Sequence, residues 1–452
     1  RVMLLLVRLF LLVGGALAMR FEYPYPSEKR YGNAVGRKET LDETIPDGLD
    51  LVYISNIWRH GDRAPTSAMV GEKAPEEYWT FGGGGWGELS PIGMRQHFNL
   101  GKKLYDRYAA NNKFLSETYK AKEIYVHCTD KNRTITSAMS HLAGMYSRPK
   151  AKVGRDYPDI SEWPKVFIPI PVHTEWAGND HIGDPATYCP RQDDLWKLVQ
   201  KTQDYKDANG DYTQQTLQYL RAAIGVDDAS ITFENVYKIW DNMLIEGIWF
   251  PDNVTDWYPY YTDDVNEQVT TINDWGIDLV NGIMNDSVID GYDLPLEINR
   301  IRAGPLINDI MAKARGVLQC RLRDSYGQQN DCKDGDHFYR NLKYHAVSSH
   351  DTTISAYLTV LGAKTKVLTR GYPWYSAAVV TEFYIDRRNG GTDQVFRVIY
   401  HDNEDSDFRV ITPLVDGCDG KDFCPVEVLQ NVADKYAPPG GINVLCNQRI
   451  NA

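Results

Sequence analysis

The sequence has little positive charge and few long apolar segments. Its 452 residues contain 49 lysines and arginines against 61 aspartates and glutamates, so the formal net charge is −12. This acidic balance argues against a nucleic-acid partner and against binding to an anionic membrane surface. Beyond the N-terminal segment there is no run of about 18 apolar residues, the length that a membrane-spanning helix needs. We therefore expect no membrane span and a soluble mature chain.

Two motifs that often bind phosphate or metal are also missing. The segment FGGGGWG at 81–87 is rich in glycine but lacks the lysine of a P-loop, so we interpret it as a flexible loop. The sequence contains no cluster of metal ligands such as HExxH. We therefore expect neither a metal nor an organic cofactor.

The N-terminal segment predicts entry into the secretory pathway. Residues 1–18 are mostly apolar and end in the small-x-small pattern Ala16-Leu17-Ala18, which is typical of a cleaved signal peptide. A buried N-terminal helix is the alternative. We expect a secreted or extracellular protein, and the sequence leaves lysosomal and gut-lumen destinations open.

Seven cysteines fit an oxidising compartment. Cys320 and Cys332 lie close in sequence, as do Cys418 and Cys424, and each pair predicts a closed loop. An odd number of cysteines leaves one thiol free or available to another chain.

Strands and helices alternate along much of the chain. Hydrophobic patterns predict strands at 51–58, 123–128, 166–173 and 343–349, and helices at 90–113, 133–146 and 296–315. The predicted apolar face of the first helix consists of Met94, Phe98, Gly101, Tyr105 and Tyr108. Segments 378–385 and 395–401 predict a β-hairpin. This order predicts an α/β fold with a mostly parallel central sheet flanked by helices.

The pattern changes after about residue 185. Residues 186–290 carry helical signals separated by aromatic loops, which predict a helical cap domain inserted into the α/β core. We expect the core to comprise residues 49–185 and 291–452, preceded by an exposed N-terminal arm at 19–48.

Charged side chains follow three of the predicted strands. The strand at 51–58 leads into Arg59, His60 and Arg63. The strand at 123–128 precedes Arg133, and the strand at 343–349 ends at His350 and Asp351. Because ligands of open parallel sheets bind at the carboxyl ends of the strands, we expect these side chains to meet at one edge.

Three arginines, two histidines and one acid suit phosphoryl transfer. Guanidinium forks match phosphate oxygens and stabilise the charge of the moving phosphoryl group, and His350 can add another donor. A neutral His60 can attack phosphorus, because nearby positive charge disfavours its protonated form. Asp351 is the candidate acid that protonates the leaving oxygen.

Each segment also has a purely structural interpretation. Residues 59–63 alone could be a surface charge cluster, and Arg133 a solvated charge at a helix start. Asp351 before Thr352 and Thr353 could be a helix cap. The functional interpretation is stronger because the predicted fold brings the three segments to one edge.

These residues resemble the histidine acid phosphatases, the RHGxRxP branch of the phosphoglycerate-mutase-like superfamily. The resemblance rests on RHGDRAP at 59–65, TDKNRTITSAM at 129–139 and SSHDTT at 348–353, and it extends from about 50 to 446. It implies an α/β core with a helical cap, and a metal-independent hydrolysis of phosphate monoesters through phosphohistidine at His60. It also implies phosphate contacts from Arg59, Arg63, Arg133 and His350, with Asp351 as the proton donor.

The resemblance has further implications. It suggests that Cys189 pairs with Cys446 and Cys418 with Cys424, which by elimination leaves a local Cys320–Cys332 bridge and a free Cys128. The ending HDTT is more similar to acid phosphatases of broad specificity than to phytases. Family members often form dimers, so a homodimer is open. Many relatives have RST where this chain has His127-Cys128-Thr129, and we expect this departure to tune specificity rather than abolish activity.

Two other functions use the same residues differently. A phosphotransferase or mutase would return the phosphoryl group to a substrate, although phosphorylated metabolites are mainly intracellular. A secreted binding protein of this fold would tend to have lost His60, an arginine or Asp351, and all are present. A small phosphate monoester is therefore the expected partner.

Glycosylation is predicted at two of the three sequons. Asn253 and Asn285 lie in polar, loop-like surroundings and should carry glycans. Asn132 directly precedes Arg133, so a glycan there would crowd a phosphate site. Peptide mass mapping of the secreted protein should find Asn132 unmodified, and a glycan on it would contradict the assignment of Arg133 to phosphate.

Overall fold

The computed structural model describes residues 37–39, 44–148, 150–285, 287–325, 337–368 and 372–450. The predicted signal peptide and most of the predicted N-terminal arm lie outside the described residues. Among the described residues, no helix combines the length and the apolar character needed to cross a membrane.

The strands of the described residues are β1 (Arg37–Glu39), β2 (Leu49–Arg59), β3 (Ile124–Thr129), β4 (His173–Glu175), β5 (Val288–Ile289), β6 (Tyr292–Asp293), β7 (Tyr344–Ser349), β8 (Ala378–Asp386), β9 (Asp393–His401), β10 (Phe408–Val410) and β11 (Cys424–Pro425).

The α-helices are α1 (Pro91–Tyr105), α2 (Asn132–Tyr146), α3 (Pro190–Val199), α4 (Gln203–Ala208), α5 (Asp211–Ile224), α6 (Tyr237–Trp249), α7 (Pro251–Trp257), α8 (Asp263–Val280), α9 (Leu294–Arg302), α10 (Gly304–Ser325), α11 (His337–Asn341), α12 (Asp351–Val360), α13 (Lys364–Val367), α14 (Val426–Lys435) and α15 (Ile442–Asn447). Ser90 caps α1, because its side chain accepts a hydrogen bond from the Gly93 amide.

One central sheet has the strand order β1-β10-β9-β8-β2-β7-β3-β4, and β11 pairs with β9. The pairs β2–β7, β7–β3 and β3–β4 are parallel. The strands β8, β9, β10 and β1 extend this parallel part by antiparallel pairing, and β8 and β9 form the predicted hairpin. The predicted α/β fold, with a central sheet flanked by helices, is confirmed.

Strand β2 is largely apolar and is buried over most of its length, because helices cover both faces of the sheet. Tyr53 and Ile57 pack into the core on one face, beneath α10 and α12. Ile54 and Trp58 pack into the core on the other face, beneath α1 and α2. A strand buried on both faces reads as a continuous apolar run rather than as an alternating pattern.

The predicted apolar face of α1 is partly wrong. Gly101, Tyr105 and Tyr108 are buried, but Phe98 is 42% exposed. Gln96 and His97 are instead fully buried. Helix α2 crosses α1 so closely that a Cβ on Gly101 would lie 2.0 Å from the His141 carbonyl oxygen. This close contact, together with hydrogen bonds described below, turns polar side chains of α1 inward.

Two predicted elements have different boundaries in the structure. The strand predicted at 166–173 is only the short β4, His173–Glu175, because the prolines before it cannot donate ladder hydrogen bonds. The helix predicted at 296–315 is two helices, α9 and α10, separated at Ala303. Gly304 lies against the Tyr436 carbonyl, 2.2 Å from where a Cβ would stand, and Pro305 opens α10.

Helices α3 to α8 occupy residues 190–280, within the predicted cap. They share a hydrophobic cluster that includes Leu195, Leu217, Ile239 and Ile272, apart from the clusters that cover the sheet. The boundaries assigned to this domain remain a prediction.

Two predicted disulfides are present in the structure. Cys189 and Cys446 join the start of α3 to α15, and Cys418 and Cys424 close a short loop. Cys320 is also disulfide-bonded, and Cys332, its predicted partner, lies outside the described residues. Cys128 is a buried free thiol, as predicted.

The predicted glycosylation sites are exposed. Asn285 is exposed and its amide donates to Asp204. Asn253 is exposed too, but it lies in α7 rather than in the loop that we expected. Pro251 can start that short helix because its missing amide hydrogen is not needed there. Glycosylation at both positions stays a prediction.

A pair of carboxyl groups joins the loop after β2 to α6. Glu246 on α6 is fully buried, and burial next to Glu72 raises the pKa of Glu246 to about 9. Glu72 accepts hydrogen bonds from Asn242 Nδ2 at 2.8 Å and Tyr258 Oη at 3.2 Å. Below its raised pKa, Glu246 is neutral and does not add a second negative charge next to Glu72. The contact therefore favours a protonated Glu246.

Replacing Glu246 with glutamine should change how stability depends on pH. The raised pKa means that the folded state binds this proton more tightly than the unfolded state. The resulting stabilisation is complete below the ordinary glutamate value of 4.5 and is lost as pH rises through about 9. Between pH 5 and pH 8 the parent should lose on the order of 2 kcal/mol relative to Glu246→Gln, measured by urea unfolding.

Glu427→Gln is a matched control, because Glu427 is exposed in the first turn of α14. Its unfolding free energy should follow that of the parent across this pH range. Parallel curves for the parent and Glu246→Gln would show that the carboxyl pair does not titrate as described.

Candidate active site

The three predicted segments meet at one edge of the sheet. Arg59, the last residue of β2, pairs with Ser349, the last residue of β7. The His60 amide then donates to the Ser349 carbonyl at 3.0 Å, and His350 follows directly. On the other side of β7 lies β3, whose chain continues into α2 and places Arg133 in the first turn. The parallel strands therefore bring together side chains that are almost 300 residues apart.

His60 is buried, with 2% of its surface exposed, and its ring is oriented by the backbone carbonyl of the next residue. Nδ1 lies 2.8 Å from the Gly61 carbonyl oxygen. A carbonyl can only accept, so Nδ1 carries the hydrogen and Nε2 keeps its lone pair. Burial and the charges of Arg133, Arg63 and Arg59 lower the pKa of His60 well below its ordinary value. The ring is therefore neutral with Nε2 available.

Arg59 is held on three sides. Its Nη2 lies 3.0 Å from Asp351 Oδ2, and its Nη1 donates to the Pro373 carbonyl at 2.8 Å. The guanidinium carbon lies 4.3 Å from the centre of the Tyr375 ring. Its buried Nε has no hydrogen-bond partner among the described residues. The buried Nε–H of Arg59 is therefore available to donate to a further acceptor.

Arg63 forms a two-point ion pair with Asp241 of α6. Nη1 and Nη2 each lie 3.1 Å from one oxygen of that carboxylate. The charge of Asp241 raises the pKa of Arg63, against the opposing effect of burial. The sequence analysis did not find Asp241, because a single acid within a cap helix carries no local signal of its role.

Arg133 lies beneath the glycine loop. A Cβ on Gly87 would stand 3.4 Å from Arg133 Nη1, and the buried Nε of Arg133 has no hydrogen-bond partner among the described residues. Burial and the neighbouring charge of Arg63 lower the pKa of Arg133 to about 10. It remains cationic at neutral and acid pH, and an anion would stabilise it.

His350 faces His60 across the site, with 5.7 Å between the ring centres. Its Nε2 lies 3.0 Å from Thr129 Oγ1 and 3.9 Å from Asp184 Oδ2. Burial and the nearby arginines lower its pKa well below the ordinary value. Asp351, the next residue, starts α12 and keeps 18% of its side chain exposed.

Residues 127–129 end strand β3 next to the candidate site, and His127 and Cys128 contribute to packing there rather than to the site itself. His127 Nε2 lies 2.9 Å from Asp180 Oδ1, and Asp180 also accepts from the Gly183 amide. Burial raises the pKa of the Cys128 thiol to about 12, so it stays protonated and unreactive. Thr129 alone of the three contacts a candidate site residue through its side chain.

A second set of side chains positions the segment after β2. His97 Nε2 lies 2.9 Å from the Arg59 carbonyl, and burial lowers the pKa of His97 to about 3. Asp62 accepts from Ser90 Oγ at 2.5 Å and from Trp249 Nε1 at 3.0 Å. Burial raises the pKa of Asp62 to about 6. The sequence analysis did not identify these positioning residues, whose partners are distant in sequence.

The assembled site can bind a small anion next to a neutral imidazole nitrogen. Arg59 and Arg63 are buried, Arg133 is partly buried, and the arginines retain donors that no described residue satisfies. Buried charges need opposite charges or acceptors nearby. Within the described residues, no group of three or more histidine, cysteine or acidic side chains is placed to hold a metal ion.

Comparison with known proteins identifies the same family that the sequence motifs resemble. Residues 50–401 match the sequence model of the histidine phosphatase superfamily (branch 2). The chain is 31% identical to "Putative acid phosphatase F26C11.1" of Caenorhabditis elegans, over 90% of each chain. It is 26% identical to human prostatic acid phosphatase, over 86% of each chain.

A solved structure shows the same fold. The phytase of Hafnia alvei in complex with myo-inositol hexakis sulphate aligns with a TM-score of 0.56 at 14% identity, covering 89% of this chain and 99% of the phytase. At this identity the likeness concerns the fold alone. With the family match across most of the chain and the relative at 31% identity, it follows that this chain belongs to the histidine phosphatase superfamily, branch 2.

Proposed function

We propose that this phosphatase is a secreted acid phosphatase that hydrolyses phosphate monoesters through a covalent phosphohistidine at His60, without a metal ion. The observation that supports the proposal is that the His60 ring is neutral and has an available Nε2. Its Nδ1 is engaged by the Gly61 carbonyl, and its free Nε2 lies in a pocket with three guanidinium groups. This arrangement suits attack on an anionic phosphorus centre.

In the first step, the arginines and His350 hold the phosphoryl oxygens while His60 attacks. The bond between Nε2 and phosphorus forms as the bond from phosphorus to the ester oxygen breaks. Asp351 gives its proton to the leaving oxygen, which departs as an alcohol. The guanidinium groups stabilise the charge that spreads over the phosphoryl oxygens, a role that metal ions have in other phosphoryl-transfer enzymes.

In the second step, water attacks the phosphohistidine. The carboxylate of Asp351 takes a proton from the water, the new oxygen–phosphorus bond forms, and the bond to Nε2 breaks. Inorganic phosphate is released, and both His60 and Asp351 return to their starting forms. One carboxyl group thus acts first as an acid and then as a base.

Acid conditions suit this pair of roles. Asp351 must carry a proton to act in the first step, and acid conditions favour that form. His60 must be neutral, and its lowered pKa keeps it neutral well below pH 6.5. The nucleophile and the acid are therefore available together on the acid side of neutrality.

The remaining parts of the proposal concern substrate and location. Asp241 of α6 lies next to Arg63, and Gly87 of the glycine loop lies next to Arg133. We expect broad specificity among small monoesters. Relatives include proteins named prostatic and lysosomal acid phosphatases, which supports a secretory or lysosomal destination. A mutase that uses the same histidine would transfer the phosphoryl group to an alcohol acceptor rather than to water.

The secreted protein should hydrolyse p-nitrophenyl phosphate with a maximum below pH 7, unaffected by EDTA. His60→Ala should lower kcat by at least about 1,000-fold, because it removes the nucleophile. Rates are measured from pH 4 to pH 8 on both proteins.

His173→Ala serves as the matched control, because His173 is an exposed histidine of β4; its rate should equal that of the parent. Activity that survives in His60→Ala would show that another group is the nucleophile. Activity lost to EDTA would contradict the metal-independent mechanism.

A further inference from the structure

Asp241 accepts hydrogen bonds from some of the N–H groups of Arg63, a predicted phosphate ligand. Arg63 Nη1 donates to Asp241 Oδ2 and also to the Ala64 carbonyl, each at 3.1 Å. Nη2 donates to Asp241 Oδ1. Both hydrogens of Nη1 and one hydrogen of Nη2 are therefore used within the protein.

The opposite edge of the same guanidinium stays available. The Nε of Arg63 is buried and has no hydrogen-bond partner among the described residues. Nε–H and the second Nη2 hydrogen form the other two-donor edge of an arginine, which can bind two phosphate oxygens side by side. Arg63 can thus hold a phosphoryl group on one edge while Asp241 remains on the other.

This geometry places a negative charge beside the reacting phosphoryl group, on the cap. Asp241 belongs to α6, whose last residue Trp249 contacts the loop after β2. One turn before Asp241, Tyr237 is 44% exposed, and burial together with the charge of Asp241 raises the pKa of Tyr237. This turn of α6 therefore carries a partly exposed aromatic ring and the carboxylate that pairs with Arg63.

The charges of the site suit one phosphate group. Asp351 pairs with Arg59, and Asp241 pairs with Arg63. The carboxylate of Asp241, 3.1 Å from Arg63, would repel a second phosphate on a leaving group that extends toward α6. Like charges in a partly buried pocket repel strongly, because water screens them poorly.

We propose that Asp241 is a specificity-determining residue that selects monophosphates with neutral or cationic leaving groups and rejects leaving groups that carry further phosphates. The inference rests on the proposed function and adds to it the class of leaving group. A carboxylate can reject one substrate by charge repulsion without making any contact with the favoured substrate.

Asp241→Asn tests the inference, because it keeps the shape of the side chain and removes its charge. The inhibition constant of myo-inositol hexakis sulphate against p-nitrophenyl phosphate hydrolysis should fall about tenfold. The ratio of kcat/KM for O-phosphoethanolamine to that for p-nitrophenyl phosphate should fall several-fold. Asp241→Glu, which keeps the charge, should retain the discrimination of the parent.

Asp228→Asn is the matched control, since Asp228 carries the same charge, is 95% exposed and lies between α5 and α6. It should leave both quantities at the parent values. Equal changes in Asp228→Asn and Asp241→Asn would reduce the effect to overall charge and overturn the inference. Unchanged values in Asp241→Asn would overturn it as well.

Two further measurements distinguish a selective role of Asp241 from a role as proton donor and from a failure of the proposed hydrolysis. If Asp241 were the proton donor, Asp241→Asn would behave like Asp351→Asn and lose kcat on alkyl phosphates far more than on p-nitrophenyl phosphate, which would overturn the selective role. Calorimetric titration with myo-inositol hexakis sulphate measures the same discrimination without turnover. Tighter binding to Asp241→Asn than to the parent would support the inference even if the protein proved inactive. In that case only the proposed hydrolysis would be contradicted.

Discussion

The structure depends on gathering positive charge around a neutral imidazole at the end of a buried strand. Guanidinium groups are costly to remove from water unless opposite charges or acceptors replace the solvent. Arg59 has Asp351, the Pro373 carbonyl and the face of Tyr375, and Arg63 has Asp241. The positive charge that remains lowers the pKa of His60 and leaves donors for a phosphoryl group. The arrangement that stabilises the arginines thus also keeps the proposed nucleophile, His60, neutral.

The cap takes part in this balance of charges. Asp241 of α6 accepts hydrogen bonds from Arg63, and Trp249 at the end of that helix donates to Asp62, two residues after His60. Asp62 and Glu246 both lie between the cap and the loop after β2, and burial raises the pKa of each. Glu246 is therefore neutral in acid, whereas the hydrogen bonds from Ser90 and Trp249 favour the carboxylate form of Asp62.

Much of the fold and the site could be predicted from the sequence, because the parallel part of the sheet obeys short-range rules. Strand β2 is largely apolar, β7 is buried along its length, and each leads directly into charged residues. What could not be predicted depends on contacts between distant segments. Asp241 gains a role only because α6 faces Arg63. His97 and Gln96 turn inward because they bond to the backbone of residues 59 and 62, while Phe98 is left exposed. Prolines shortened β4, and the close approach of Gly304 to Tyr436 divided the helix predicted at 296–315.

Trapping the proposed phosphohistidine is the most direct test of this account. The enzyme is mixed with a phosphate monoester carrying labelled phosphorus, quenched in alkali within milliseconds, and digested for peptide mapping. The account predicts label on the peptide that contains His60, stable to alkali, lost in acid, and absent from His60→Ala. Label on a different residue, or none during a turnover that proceeds at the full rate, would contradict it.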